Sequence, residues 1–310
     1  MDFLRPRTWA EALDLKAARP EATPIQGGTD VMVEINLDRG RPAALLDLTP
    51  IPELREWSRE GDVIRLGAGV TYARLIGELG ACLPGLAQAS RTVGSPQIRN
   101  RGTVAGNLGA ASPAGDSHPP LLACDAVVEA ESVRGARLIP IGEFYTGVKR
   151  NALAPDELIR AVRVPVARGP QYFSKIGTRN AMVIAVCSFS IALHAAERRV
   201  GTGVGSAAPT PRRAVAAGEF AAARLDWQGR SPLDPGVARR FGELVAGAAA
   251  PIDDVRGRAA YRTHALAVLA RRALGWAWAD FRAGTRADSG RDSGRDSGGG
   301  SGAGDDRGSA

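Results

Sequence analysis

Residues 24–30 read Pro24-Ile25-Gln26-Gly27-Gly28-Thr29-Asp30, and a second small-residue stretch, Ser95 to Asp116, contains Thr103-Val104-Ala105-Gly106-Asn107. In the first, paired glycines permit positive φ, and the missing side chains let successive backbone N–H groups face one anion. Such a loop binds a pyrophosphate without a lysine. In the second, Thr103 and Asn107 offer a hydroxyl and a carboxamide beside accessible backbone, and Asp116 offers acceptors to sugar hydroxyls. Read singly, each stretch also fits a glycine turn or local Thr, Asn and Asp turn caps. Two in one region favour a nucleotide-containing ligand.

Short helical and extended stretches alternate around these loops. Residues 9–19 predict a helix capped by Thr8, with Glu11 three residues on as in a capping box, stopped by Pro20. Residues 43–51 read as a strand, and 62–79 as a strand, a glycine turn and a helix starting near Thr71. Strands mixed with helices in this order indicate an α/β or α+β domain. Pro165 and Pro170 suggest a boundary, placing domains at 1–167 and 168–282. In the second, the apolar run Met182 to Leu193 reads as a central antiparallel strand and 198–213 as the returning one. Beyond them, residues 233–249 and 254–281 are helical: Val255, Ala259, Tyr261, Leu266, Leu269, Leu274 and Trp278 recur at roughly helical spacing. From about Ala283 to Ala310, repeated Asp-Ser-Gly-Arg units with no apolar residue larger than Ala predict a disordered tail.

The chain has 310 residues, 44% apolar and 24% charged, a globular balance too long for one typical core. No run reaches the roughly 18 to 20 apolar residues of a membrane span, and the first residues lack a signal peptide's apolar centre, so the expectation is a cytoplasmic protein. Cys82, Cys124 and Cys187 are far apart with no CxxC pair, which indicates neither a disulfide framework nor a protein-ligated iron–sulfur or Cys-type zinc site. A net charge of +7 is spread along the chain, reading as a solvated surface rather than a nucleic-acid groove. Only Lys16, Lys149 and Lys175 are lysines, which singles them out in an arginine-rich chain.

Gly203-Val204-Gly205-Ser206-Ala207-Ala208 spells a Rossmann turn, but Pro209 and Pro211 forbid the helix that would follow. His118, His194 and His264 are isolated and read as hydrogen-bonded or exposed rather than as metal ligands. Trp276 and Trp278 cannot share a helical face, so at most one packs inward. The sequence offers loops fit for a nucleotide but no acid, base, nucleophile or metal set. Chemistry then belongs to a bound cofactor.

Gln26 to Asp30, Thr103 to Asn107, Ala111-Ser112-Pro113-Ala114-Gly115-Asp116, Ala207-Ala208-Pro209-Thr210-Pro211 and Lys175 to Arg179 together resemble the FAD-binding middle subunit of molybdenum hydroxylases, the xanthine dehydrogenase and carbon monoxide dehydrogenase family. They occur in the family's order and cover about residues 1 to 280. The resemblance implies an α+β fold: a two-lobed FAD-binding domain of the vanillyl-alcohol-oxidase (PCMH) type, then a small domain with a three-stranded antiparallel sheet and a helical bundle. It implies that Pro24, Ile25, Gln26, Gly27, Gly28, Thr29, Asp30 and Val31 run along the flavin nucleotide and give N–H groups to its pyrophosphate. Thr103, Val104, Ala105, Gly106 and Asn107 would form the second phosphate loop, and Asp116 would touch the cofactor's polar part. Ile159 would meet the ring system through its backbone, and Lys175 would approach the ring's polar edge. Val93 falls where the family often has an aromatic residue against FAD. The usual second loop reads T-x-G-G-N; Ala105 replaces its first glycine, which demands negative φ there.

By the same resemblance, FAD collects electrons from a [2Fe-2S] small subunit that serves a molybdopterin-binding large subunit, and passes them to NAD, quinone or oxygen. The alternatives are a self-contained FAD-dependent oxidase, which needs a substrate pocket with a base, and a non-redox nucleotide-binding module.

Overall fold

The computed structural model describes the backbone of residues 1–292 and side chains through residue 284. Thr8 caps the helix Trp9–Ala18 by accepting from the Glu11 amide at 3.2 Å, while Glu11 accepts from the Arg7 amide at 2.7 Å, a capping box shifted one residue outward. That helix lies beside a three-stranded parallel sheet, Asp2–Leu4, Ala44–Asp47 and Thr23–Ile25 in spatial order. After Ile25 the chain turns and enters the helix Val31–Asn36, so the apolar segment behind the glycines is helical.

A second lobe holds a five-stranded antiparallel sheet, ordered Trp57–Glu60, Val63–Gly67, Leu158–Pro165, Val127–Ser132, Gly135–Pro140. Strict alternation along Val127–Ser132 turns Val128 and Ala130 inward. Thr71 caps the helix Tyr72–Glu78 that follows Val63–Gly67, as its sequence indicates. One apolar core, including Leu46, Ile51, Leu54, Ile64, Leu66 and Phe144, joins both lobes.

The remaining sheet is three-stranded and antiparallel, with Cys187–His194 between Gln171–Ile176 and Arg199–Gly205. The strand starts at Cys187 rather than Met182. Met182 takes φ 50°, and Arg179 holds its carbonyl through Nε at 3.1 Å, which bends the chain before pairing begins. The first seven residues of Cys187–His194 are all buried, because both faces are covered. One cover is the long helix Ala259–Asp292, with Leu266, Leu274 and Trp278 in the core it forms. The other is the helix His118–Ala123 from the amino-terminal part, reached across Arg199–Gly205. A Cβ on Gly201 would sit 1.9 Å from the Ala123 carbonyl oxygen, and one on Gly203 2.0 Å from that of Pro119. The Rossmann-like spelling is therefore a bare track on a strand that lets a helix dock on the sheet.

Val255 lies ahead of the last helix and is 99% exposed, so the periodic apolar series starts later than its spacing suggests. Trp278 is buried and Trp276 is half-exposed. The last helix continues past Ala283 to Asp292, overlapping the start of the stretch where the sequence predicts disorder. The rest of the expected tail, 293–310, falls outside the described residues. Among the described residues, all three cysteines are free, no cluster suited to a metal occurs, and no helix is long and apolar enough to cross a membrane.

Candidate functional site: a cleft between two glycine-bearing segments

The two small-residue stretches meet. A Cβ on Gly27 would lie 2.2 Å from the Arg101 carbonyl oxygen, so only glycine permits the contact, and Gly28 takes φ 75°. The second stretch is pinned from behind: the Tyr72 amide donates to the Gly102 carbonyl at 3.0 Å. Thr103 then caps a seven-residue helix, Val104–Ala110, accepting from the Gly106 amide at 2.9 Å. The expected second phosphate loop is thus the first turn of a short helix. Ala105 sits in that turn at negative φ, where a methyl group costs nothing.

Between the lobes these segments line a cleft of about 900 Å³, within the roughly 300–1,000 Å³ of ordinary ligand sites. All of Pro24 to Val31, together with Val93, Thr103, Ala105, Gly106, Asn107 and Ile159, face it. Val104, Asp116 and Lys175 do not. Val104 is buried because its turn points it, with Leu108, into the core. Asp116 and Lys175 pair at 2.5 Å with both side chains 8% exposed. Lys175 also donates to the Thr92 carbonyl at 3.0 Å, and Thr92 Oγ1 donates to Asp116 at 3.1 Å. Burial pushes the Asp116 carboxyl up, and the neighbouring ammonium opposes that shift. Lys175 instead faces a second cleft of about 670 Å³ with Arg91, Arg99 and Arg179. Val93 lines the first cleft while its neighbours Thr92 and Gly94 line the second, so a thin wall separates them.

The donor set suits a diphosphate. Within the described residues the amides of Gly27, Gly28 and Thr29 find no acceptor, and Gln26 Oε1 is buried without a partner. Unpaired polar groups at a cleft wall are costly unless a ligand or water completes them.

Several lining residues went unassigned in the sequence. Lys149 reaches across to Glu34, tying the turn before Arg150 to the helix Val31–Asn36. Asn151 Nδ2 donates to the Gly109 carbonyl at 3.0 Å. Tyr72 lines the cleft while its hydroxyl meets Ser117 Oγ at 2.8 Å. Glu157 is held below the usual carboxylate range by hydrogen bonding to Arg137 at 2.7 Å. Lys16, buried in the wall, donates to the Pro20 and Ala22 carbonyls at 2.7 Å each. The scarcity of lysine was the one signal pointing at Lys16 and Lys149.

A donor-rich cleft between two lobes, with no cluster suited to a metal among the described residues, defines a protein that holds a nucleotide cofactor. Residues 1–167 match the family described as the FAD binding domain in molybdopterin dehydrogenase, and 172–277 match the CO dehydrogenase flavoprotein C-terminal domain. The xanthine dehydrogenase FAD-binding subunit of Escherichia coli O157:H7 is 31% identical over 284 residues, covering 88% of this chain and 94% of that one. The carbon monoxide dehydrogenase medium chain of Afipia carboxidovorans is 32% identical over 282 residues, with 88% and 95% covered. In structure, a chain of Hydrogenophaga pseudoflava carbon monoxide dehydrogenase superposes with a TM-score of 0.82 at 27% identity, covering 91% of this chain and 98% of that one. The chain belongs to the family of FAD-binding subunits of the molybdopterin dehydrogenases, the xanthine and carbon monoxide dehydrogenase group. Its cofactor is FAD, and it is an oxidoreductase subunit with the α+β, two-part fold that the sequence resemblance implies.

Proposed function

We propose that this chain is the electron-transfer subunit of a cytoplasmic molybdenum hydroxylase, working between a [2Fe-2S] small subunit that drains a molybdopterin-binding large subunit and an acceptor such as NAD, quinone or oxygen. The observation that carries this reading is the cleft itself: unpaired amides on Gly27, Gly28 and Thr29 meet the capped turn at Thr103. Bound FAD takes up electrons singly and releases them in pairs, which suits such a junction.

Every other contribution comes from the protein. Residues 24–31 and the turn Thr103–Asn107 hold the diphosphate through N–H groups and the Asn107 carboxamide. Val93 and Ile159 line the same cleft and would shield the ring from water where it lay against them. Asp116 and Lys175 stand behind Val93, where a charge near the ring's polar edge tunes its reduction. The reading divides the chain into an FAD-binding domain at 1–167 and a smaller domain at 168–282, consistent with the two separate apolar clusters. Relatives named as medium subunits favour assembly with other chains.

The test is co-purification from the native host with metal and cofactor analysis. Bound FAD together with molybdopterin and [2Fe-2S] chains is expected. A yellow chain bleached by a hydroxy acid or alcohol with no partner present would replace this reading with a self-contained oxidase.

A further inference from the structure

Gln26 stands between the strand Thr23–Ile25 and the glycine turn, and it lines the cleft. Its carboxamide makes no hydrogen bond to any described residue, and Oε1 is buried. A seat is built for the group: a Cβ on Gly69 would lie 3.1 Å from Gln26 Nε2 and 3.1 Å from the Leu54 carbonyl oxygen, so the amide rests over a bare Cα. The turn beneath is fixed, since the Gly69 amide donates to the Leu54 carbonyl at 2.7 Å and the Ala68 amide to the Arg160 carbonyl at 3.1 Å. Ala68 and Ile159 line the same cleft, which puts the carboxamide on its Ile159 side.

A carboxamide offers an acceptor and two donors in one plane. Leaving the acceptor buried and unmet is costly, and a bound group that supplies a donor lifts that cost. The diphosphate of a dinucleotide presents only acceptors, so the group that suits the neighbouring amides leaves Oε1 unmet. A heteroaromatic edge that sets an N–H beside an acceptor meets both ends of the amide at once, as adenine does when glutamine reads it. FAD holds two such edges: the adenine amine beside a ring nitrogen, and the isoalloxazine N3–H between two carbonyls.

We propose that Gln26 is a specificity-determining residue whose carboxamide pairs with a heteroaromatic edge of the cofactor, Oε1 accepting an N–H and Nε2 donating to the ring acceptor beside it. Residues 27–29 hold charge through backbone, and Gln26 reads a ring through its side chain. The inference rests on the FAD reading given above and deepens it.

The test titrates FAD, ADP and FMN into the cofactor-stripped full chain, each half beside an analogue that lacks the N–H: purine riboside diphosphate for ADP, N3-methyl-FMN for FMN. Gln26→Met, close in length and without hydrogen bonds, is expected to weaken FAD about fivefold to a hundredfold, the discrimination that one bidentate amide–base pair carries. The parent is expected to prefer one intact half over its analogue by a like factor, and Gln26→Met to erase that preference. A preference within the ADP pair marks the adenine edge, and one within the FMN pair the isoalloxazine edge. Denaturant unfolding of the stripped variant is expected at or above the parent's midpoint, because an unmet buried acceptor is gone; a side chain kept for packing would give the opposite. Unchanged FAD affinity overturns the proposal. So does a loss that leaves both preferences as they were, the mark of a hydroxyl contact or a distorted turn. Should Gln26→Met fail to fold, Gln26→Ala decides by the same outcomes. A parent chain that takes up no FAD overturns the FAD reading itself.

Discussion

Glycine does opposite work in two parts of this molecule. At Gly27 and Gly28 the bare backbone turns amides toward open space, and those amides find no acceptor within the described residues. At Gly201 and Gly203 the same bareness is filled by the chain itself, with carbonyls of Ala123 and Pro119 where a Cβ would be. Both segments carry a motif-like spelling. What separates a ligand site from a packing track is whether the vacated space is occupied by protein, which composition does not reveal and a neighbouring element does. Gly27 shares a little of both, since its own Cβ position abuts Arg101.

The junction offers the hardest test, because part of it is held by charge instead of close packing. Lys175→Met leaves the buried Asp116 with the Thr92 hydroxyl but without its cation, and is expected to cost about 3–5 kcal/mol in denaturant unfolding. It should also make the FAD midpoint potential more negative, since a nearby positive charge favours the reduced, anionic ring. Adding Asp116→Asn should recover most of the stability. If the single variant unfolds like the parent, the pair is no tie at all. Gly203→Ala should cost about 3 kcal/mol, the upper range for overpacking, because Pro119 is backbone and cannot rotate away. FAD affinity of the folded fraction should stay as in the parent. An affinity loss larger than the stability loss would erase the contrast between track and cleft.

Gly27→Ala should show the reverse pattern. A loss of about 1–3 kcal/mol in stability is expected from forcing the two segments apart, together with loss of FAD from the purified chain. Acid titration probes the helix that caps the track. Burial holds the His118 imidazole down at about 3, against about 6.5 when unfolded. The unfolded state therefore binds the extra proton between those values, and stability falls as pH drops from about 6.5, by up to about 1.4 kcal/mol per pH unit. His118→Gln should flatten that slope; an unaltered slope would mean that other groups cause it. Lys149→Ala removes a half-exposed ion pair to Glu34 at the cleft rim, so its cost should be below about 1 kcal/mol.

Much of this was legible in the chain. Thr8 and Thr71 mark their helices because a hydroxyl before an amphipathic run satisfies free amides. Gly27 and Gly28 announce their loop through the conformations that they alone tolerate. Thr103–Asn107 was less transparent, since Val104-Ala105-Gly106-Asn107 carries no apolar period to mark a helix and only Thr103 signals a cap. Nothing local in that stretch indicates that the Val104 side chain turns into the core. Asp116 and Lys175 come together from positions 59 apart, and no local pattern encodes such a meeting. Lys149 is hidden for another reason: it occupies a left-handed turn, φ 54°, whose direction follows from the hairpin around it.

The strand Cys187–His194 has a consequence for how the chain can be divided. One of its two roofs is built from residues 118–123, encoded well upstream of the strand itself. Cut anywhere near Pro165, the downstream fragment would bare an oily ribbon to water and invite clumping. The two halves therefore depend on each other, and the glycines at 201 and 203 are where that dependence is physically made.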